Sequence, residues 1–193
     1  MKVLSVNTGA ARPLSAGGRT VASAVGKRPV DGPVAVGPLG LAGDEQADLS
    51  VHGGLSKAVY AYPAEHAAFW RTVRAQARVS LWDEDVGPGL FGENLTLEGL
   101  TEDRVWVGDV LRFPDCALAV SEPRFPCFKF AAAMGFAQAV QLMADSGWCG
   151  FYLAVREPGT LRAGETFTLE PGPREVGIPE LFRARLPRGR RAG

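Results

Sequence analysis

Glycine and proline recur so evenly along this chain that little room is left for a long helix or an unbroken strand. The 193 residues include 24 glycines and 14 prolines, and punctuation at that density predicts many short elements joined by turns. A hydrophobic content of 46% is enough for one core of ordinary size, so a single globular domain is expected. No internal repeat is visible.

Charge narrows the partners. Lys plus Arg and Asp plus Glu number 21 each, so there is no global basic field, and neither specific nucleic-acid binding nor attachment to an anionic membrane is expected. Apolar runs near the N-terminus, such as Val3-Leu4, are too short for a signal peptide, and no stretch approaches a membrane span. A soluble, cytoplasmic protein follows. The three cysteines, Cys116, Cys127 and Cys149, are widely spaced with no Cys-x-x-Cys. Neither a four-cysteine zinc site nor an iron–sulfur cluster can be built from this chain alone, and an intracellular setting argues against a disulfide.

In chain order, Lys2–Asn7 reads as a first strand, followed by a polar loop through Gly17-Gly18. Thr20–Gly26 and Val34–Val36 are further β-prone segments, separated by Pro29 and the Asp31-Gly32-Pro33 turn. Ala58–Tyr62 looks like a buried strand, and Pro63 opens a helix with Glu65 in its first turn. His66, Phe69, Trp70, Val73 and Ala77 recur at helical spacing, with Arg71, Arg74 and Arg78 facing water, so His66 reads as a helix-face residue rather than a ligand. Leu95–Leu97 is a strand. Arg104–Phe113 is two β-rich runs broken by Gly108-Asp109, and Ala117–Val120 pairs with them. Phe136–Asp145 is a helix stopped by Gly147. Trp148–Val155 and Thr166–Leu169 close the sheet. Glu175–Phe182 forms one short helix before a basic tail carrying Arg183, Arg185, Arg188, Arg190 and Arg191.

Two stretches suggest chemistry. In Pro123-Arg124-Phe125-Pro126-Cys127-Phe128-Lys129, Pro126 suits a first helical position, which would set Cys127 in the first turn of a helix. The helix dipole, Arg124 and Lys129 then all favour a thiolate, reactive or metal-binding; the alternative is a small buried hydrophobe. In Val51-His52-Gly53-Gly54-Leu55-Ser56-Lys57, the adjacent glycines allow backbone N–H groups to form an anion-binding nest beside His52 and Lys57. An ordinary loop is the alternative.

The ordered set Gly43-Asp44-Glu45-Gln46, His52-Gly53-Gly54, Tyr62-Pro63 with Glu65-His66, Gly92-Glu93-Asn94, Gly108-Asp109, and Pro123-Arg124 followed by Pro126-Cys127 resembles the MOSC domain family. These are domains similar to the C-terminal part of molybdenum cofactor sulfurases, and the likeness is to the YiiM-like branch. It spans residues 1–170, with the motif-bearing core at about 28–169, and leaves 171–193 as a short helix and basic tail. The resemblance implies a mainly β, β-barrel-like fold with a few short helices.

The same resemblance makes Cys127 the catalytic residue and a molybdenum ligand, and matches Arg124, Asp44, Glu45, His52, Gly53, Gly54, Glu93 and Asn94 to positions lining a cofactor pocket. Lys57 and Lys129 join them on physical grounds. It implies binding of the molybdenum cofactor, a phosphorylated pterin dithiolene whose phosphate suits a glycine nest with nearby cations and whose metal takes a soft thiolate. The implied activity is an oxotransferase-type reduction of small N-hydroxylated compounds such as N-hydroxylated purine bases, with detoxification as its role. With no flavin or nicotinamide fingerprint in the chain, a separate flavin-type reductase would donate electrons. The alternatives are a non-catalytic carrier of the cofactor or of sulfur, and a metal-free hydrolase using Cys127 with His52. The family is also associated with pyridoxal phosphate, although no lysine here sits in a context that argues for a Schiff base. Two departures stand out. Glu122 replaces the branch's usual glutamine, and the chain has at most one helix where many members carry three at the C-terminus.

Overall fold

The computed structural model describes residues 1–16, 18–47 and 53–186. Its elements are, in order, β1 (Lys2–Thr8), β2 (Arg12–Ala16), β3 (Arg19–Ser23), β4 (Arg28–Pro29), β5 (Val34–Gly37), β6 (Gly40–Leu41), β7 (Val59–Pro63), α1 (Ala67–Gln76), β8 (Leu95–Glu98), β9 (Val110–Arg112), β10 (Ala117–Pro123), α2 (Phe128–Met134), α3 (Ala139–Ser146), β11 (Phe151–Glu157), β12 (Gly159–Leu161), β13 (Thr168–Glu170) and α4 (Ile178–Arg185). The short, turn-separated elements expected from the glycine and proline spacing are what forms.

The main sheet runs β13-β9-β10-β11-β7-β8-β1-β4, with smaller sheets β12-β5-β6 and β2-β3. Pairing is antiparallel except between β7 and β8, which run parallel because α1 lies in the crossover joining them. The fold is mainly β, but the sheet curls without closing into a barrel. Its near-closure comes from residues just before β13. Val3 N–H donates to Glu165 O (2.9 Å) and Gly164 N–H to Val3 O (2.8 Å), which draws the β13 end toward β1.

The core is built on β7, every residue of which is buried, as expected of a strand covered on both faces. Trp70 of α1 packs against it and donates its indole N–H to the Tyr62 hydroxyl at 2.6 Å, so a fully buried polar atom is satisfied inside an apolar cluster. Phe130 of α2 meets Trp70 edge-on, and Phe182 of α4 stacks on Phe125.

Several elements differ from the expectations. The polar loop before Gly18 is β2, the first arm of a hairpin with β3 in which Leu14 pairs Val21. The first half of Arg104–Phe113 is not a strand: Val107 N–H donates to Val176 O and Ile178 N–H to Val105 O, so its backbone groups go to the segment leading into α4. The helix after Pro63 opens as a 3-10 turn over Ala64–His66. Arg74 does not wholly face water, since its Nε is buried. The C-terminal helix starts at Ile178, later than expected, with Pro179 in its first turn. The basic tail beyond Leu186 lies outside the described residues.

Candidate functional site

Strand β10 ends at Pro123, and four residues without regular secondary structure, the last of them Cys127 in extended form, lead to α2 at Phe128. Two contacts hold that run in place: Arg124 N–H donates to Gly150 O (3.4 Å) and the Phe125 ring stacks on Phe182 at 5.4 Å. Cys127 is therefore the N-cap of α2 rather than part of its first turn, and Pro126 precedes the helix. The dipole argument for this thiol is correspondingly weaker, since the helix has seven residues and the side chain stands outside it. What the arrangement does accomplish is to bring Arg124 and Cys127 to one wall of a cleft of about 640 Å3, counting the space open to solvent at its mouth.

Arg124 is buried at 4% exposure. Its guanidinium lies over the Phe130 ring at 4.8 Å and the Tyr60 ring at 5.5 Å, and one N–H reaches Met143 Sδ at 3.4 Å. Among the described residues no carboxylate pairs with it. A buried guanidinium surrounded by rings, sulfur and an open cleft is suited to an anion that enters from solvent.

The opposite wall is a polar network. Asp44 pairs with Lys27 through Oδ1, which also accepts Gly9 N–H at 2.9 Å; its Oδ2 accepts Asn94 Nδ2 at 2.8 Å. Asn94 in turn accepts Tyr60 N–H at 3.0 Å and donates to Asn7 O at 3.2 Å, tying β7 to β1. Burial lowers the Lys27 pKa, and Asp44 opposes that shift. The β2–β3 hairpin supplies a third side through Ser23, with Ala24 and Val25 following it, and Lys129 fastens it by donating to Ala22 O at 3.0 Å.

The glycine loop reaches the same cleft through Gly53. Gly53 and Gly54 have φ of 117° and 78°, which only glycine adopts without strain. Gly54, however, does not line the cleft, and its N–H donates to Gln46 Oε1 at 3.2 Å. That donor is spent inside the fold because Gln46 bridges this loop to Leu39 O, so the expectation of two glycine N–H groups aimed at one anion is corrected.

The model of the MOSC domain matches residues 48–168, about two thirds of the chain and the part that carries Gly53, Asn94, Arg124 and Cys127. The chain belongs to the MOSC domain family. Two bacterial proteins place this MOSC chain in the YiiM-like branch. YflK of Bacillus subtilis, named as uncharacterized, is 38% identical over 86% of this chain and 72% of its own length. YiiM of Escherichia coli is 38% identical over 82% of this chain and 68% of its own. The crystal structure of YiiM from Geobacillus stearothermophilus superposes with a TM-score of 0.73 at 32% identity, covering 94% of this chain and 81% of that one. A protein of Gibberella moniliformis named "Reductase" is 32% identical over 95% of this chain, but only 32% of its own length is covered.

Of the residues singled out in the sequence of this MOSC domain, Asp44, Glu45, Gly53, Lys57, Asn94, Arg124, Cys127 and Lys129 line the cleft. Glu93 lies behind the wall, where it accepts Gly89 N–H (2.6 Å), Phe91 N–H (3.1 Å) and the Thr96 hydroxyl (2.9 Å); its role is to shape the loop. His52 lies outside the described residues. His66 stays away from the cleft, in a buried pair with Glu102 at 2.8 Å.

The three thiols are told apart by burial, and none is in a disulfide. Burial pushes the Cys116 thiol up to about 12 and raises that of Cys149 well above its usual value. Cys127 is half-buried and opens onto the cleft. Residues missed in the sequence are Lys27, Tyr60 and Tyr152. The tyrosines are register partners on β7 and β11 with rings 5.3 Å apart, and strand alternation would have found Tyr152, since Phe151 and Leu153 beside it face the core.

Proposed function

We propose that the cleft binds the molybdenum cofactor with Cys127 as the protein's ligand to molybdenum, and that the loaded protein reduces N-hydroxylated compounds, N-hydroxylated purine bases foremost. The observation that carries this reading is the pairing, in one wall, of a half-buried thiol with a buried guanidinium that has no carboxylate partner among the described residues. A ligand that brings both a thiophilic metal and an anionic group matches both.

The donor set fits. Among the described residues no three His, Cys, Asp or Glu side chains are grouped to hold a metal ion, so a metal held by Cys127 takes its other ligands from the molecule it arrives with, as a dithiolene provides. When bound, the cofactor supplies a metal centre able to exchange an oxygen atom with a substrate. The chain supplies the rest. Arg124 offsets anionic charge, Gly53 lets the backbone approach closely, and Asp44 with Asn94 fixes Lys27 in place. Tyr60, Phe91 and Tyr152 give apolar surface for a planar base.

Conversion of R–NH–OH to R–NH2 and water consumes two electrons and two protons. A separate flavin-type reductase is the source we assign for the electrons, and the reductase-named relative, in which a segment like this chain forms about a third of the protein, supports a redox setting. No helix among the described residues is long and apolar enough to cross a membrane, and the cytoplasm, where thiols stay reduced, suits Cys127 in this role.

The test is molybdenum per chain in protein made in a cofactor-competent host, alongside N-hydroxylaminopurine reduction with an added flavin reductase. The expected result is close to one molybdenum per chain with turnover, both lost in Cys127→Ser. Unchanged molybdenum in that variant overturns the ligand assignment, and stoichiometric molybdenum without turnover makes the protein a carrier.

A further inference from the structure

Glu122 stands two residues before Arg124, and its carboxylate is divided between two cations. Oε1 lies 3.8 Å from the Lys57 ammonium and Oε2 lies 3.7 Å from Arg185 Nη1 on α4. Lys57 lines the cleft; Glu122 does not. Glu122 is also the register partner of Tyr152, whose ring lies 5.8 Å from the same ammonium. The side chains of Glu122, Lys57 and Arg185 are 19%, 26% and 57% exposed, so the acid and the cleft lysine are partly shielded while the arginine reaches solvent. The last helix, which already meets the Arg124 segment through the Phe125–Phe182 stack, is thus also tied to the cleft lysine by a carboxylate.

A carboxylate beside a cleft cation competes with any anion that enters. The more firmly Glu122 holds Lys57, the less that ammonium contributes to a ligand, and the loss is greater for a doubly charged anion than for a singly charged one, because the interaction scales with the product of the charges. Arg185 draws the same carboxylate from the other side, so its presence loosens the hold on Lys57. Both contacts are at the long end of ion-pair distance, where neither partner captures the acid outright.

We propose that Glu122 is a positioning residue that sets the anion affinity of the cleft by dividing its charge between Lys57 and Arg185, so that α4 tunes ligand retention. This deepens the reading of the cleft as a site for an anionic ligand and rests on it. The probes are sulfate and nitrate, titrated by NMR at constant ionic strength into full-length protein from a host that makes no molybdenum cofactor. Glu122→Gln is expected to bind sulfate about two- to fivefold more tightly, the range of one partly exposed ion pair, with a smaller gain for nitrate. Lys57→Met in the Glu122→Gln background removes the gain. Arg185→Ala weakens sulfate binding in the wild type and has no effect beside Glu122→Gln.

Unchanged or weaker sulfate binding in Glu122→Gln overturns the proposal, as does an Arg185→Ala effect of equal size in both backgrounds. A native spectrum of Glu122→Gln shows that the fold is kept. Because molybdenum content is not the readout, failure here leaves the Cys127 assignment to its own measurement, and failure there leaves this one standing.

Discussion

Asn94 donates its amide N–H to Asp44 Oδ2 at 2.8 Å in the wall of the cleft, while the other oxygen of that carboxylate holds the Lys27 ammonium. Asp44 is thus the only described carboxylate that pairs with a lysine whose side chain is just 7% exposed. Asp44→Asn keeps the shape but leaves a buried cation without its counter-charge, and the expected cost is about 3 kcal/mol in urea unfolding at neutral pH. Adding Lys27→Met should restore a large part of that loss, because both charges are then gone. A double variant no more stable than Asp44→Asn would show that the pair is not the source.

Gly150 links the buried acid Glu102 to the cleft: its N–H donates to Glu102 Oε1 at 2.7 Å and its carbonyl accepts Arg124 N–H. A Cβ there would meet Ala61 O at 2.4 Å and a Tyr60 ring carbon at 2.8 Å, at a φ of +64°. Gly147, three residues earlier, has a similar φ of +72° but nothing within 4 Å. Gly150→Ala should therefore cost about 3 kcal/mol or more, strain and overpacking together, against about 1–2 kcal/mol for Gly147→Ala, where strain acts alone. Thermal or urea unfolding of the two variants side by side checks the difference.

Much of this was legible from residue order, and the gaps have physical causes. The strands around Val34, Val59, Leu95 and Ala117 announce themselves because buried β-branched and aliphatic residues sit between turn formers. The β2 arm was hidden because its residues are mostly exposed, so no apolar alternation marks it. Val105 and Val107 read as strand yet make their backbone bonds with Ile178 and Val176, some 70 positions later, a pairing that local propensity cannot reveal. Cys127 and Arg124 were visible in their motif, whereas Lys27 matters only because the fold brings Asp44 to it from 17 residues away.

Glu93 gives a pH dependence with a defined sign. Burial raises its pKa from the ordinary value of 4.5, although its backbone and Thr96 donors pull the other way. Above 4.5 and up to the folded value, the folded chain binds more protons at this site than the unfolded chain does, so the contribution of Glu93 to stability declines as pH rises through that window. Glu93→Gln has no such titration. The stability of wild type minus that of Glu93→Gln, from urea midpoints between about pH 4 and pH 8, should therefore fall as pH rises. A difference that rises with pH would contradict the burial argument.

Arg124 separates what the site needs from what the fold needs. With rings at 4.8 and 5.5 Å, a thioether at 3.4 Å and no carboxylate partner among the described residues, its charge is opposed by burial, and Tyr60, Tyr152 and Cys127 beside it more than offset that opposition, holding its pKa above the ordinary value. Arg124→Met keeps a flexible apolar stem against Phe130 and Met143 while removing that charge. Stability should change by no more than about 1 kcal/mol. Molybdenum retained per chain should fall by about tenfold or more, the loss of a charge-assisted contact or two. A variant that unfolds readily but still holds its full molybdenum would mean that the guanidinium serves the core rather than a ligand, and would remove the strongest physical support for an anionic cofactor in this cleft.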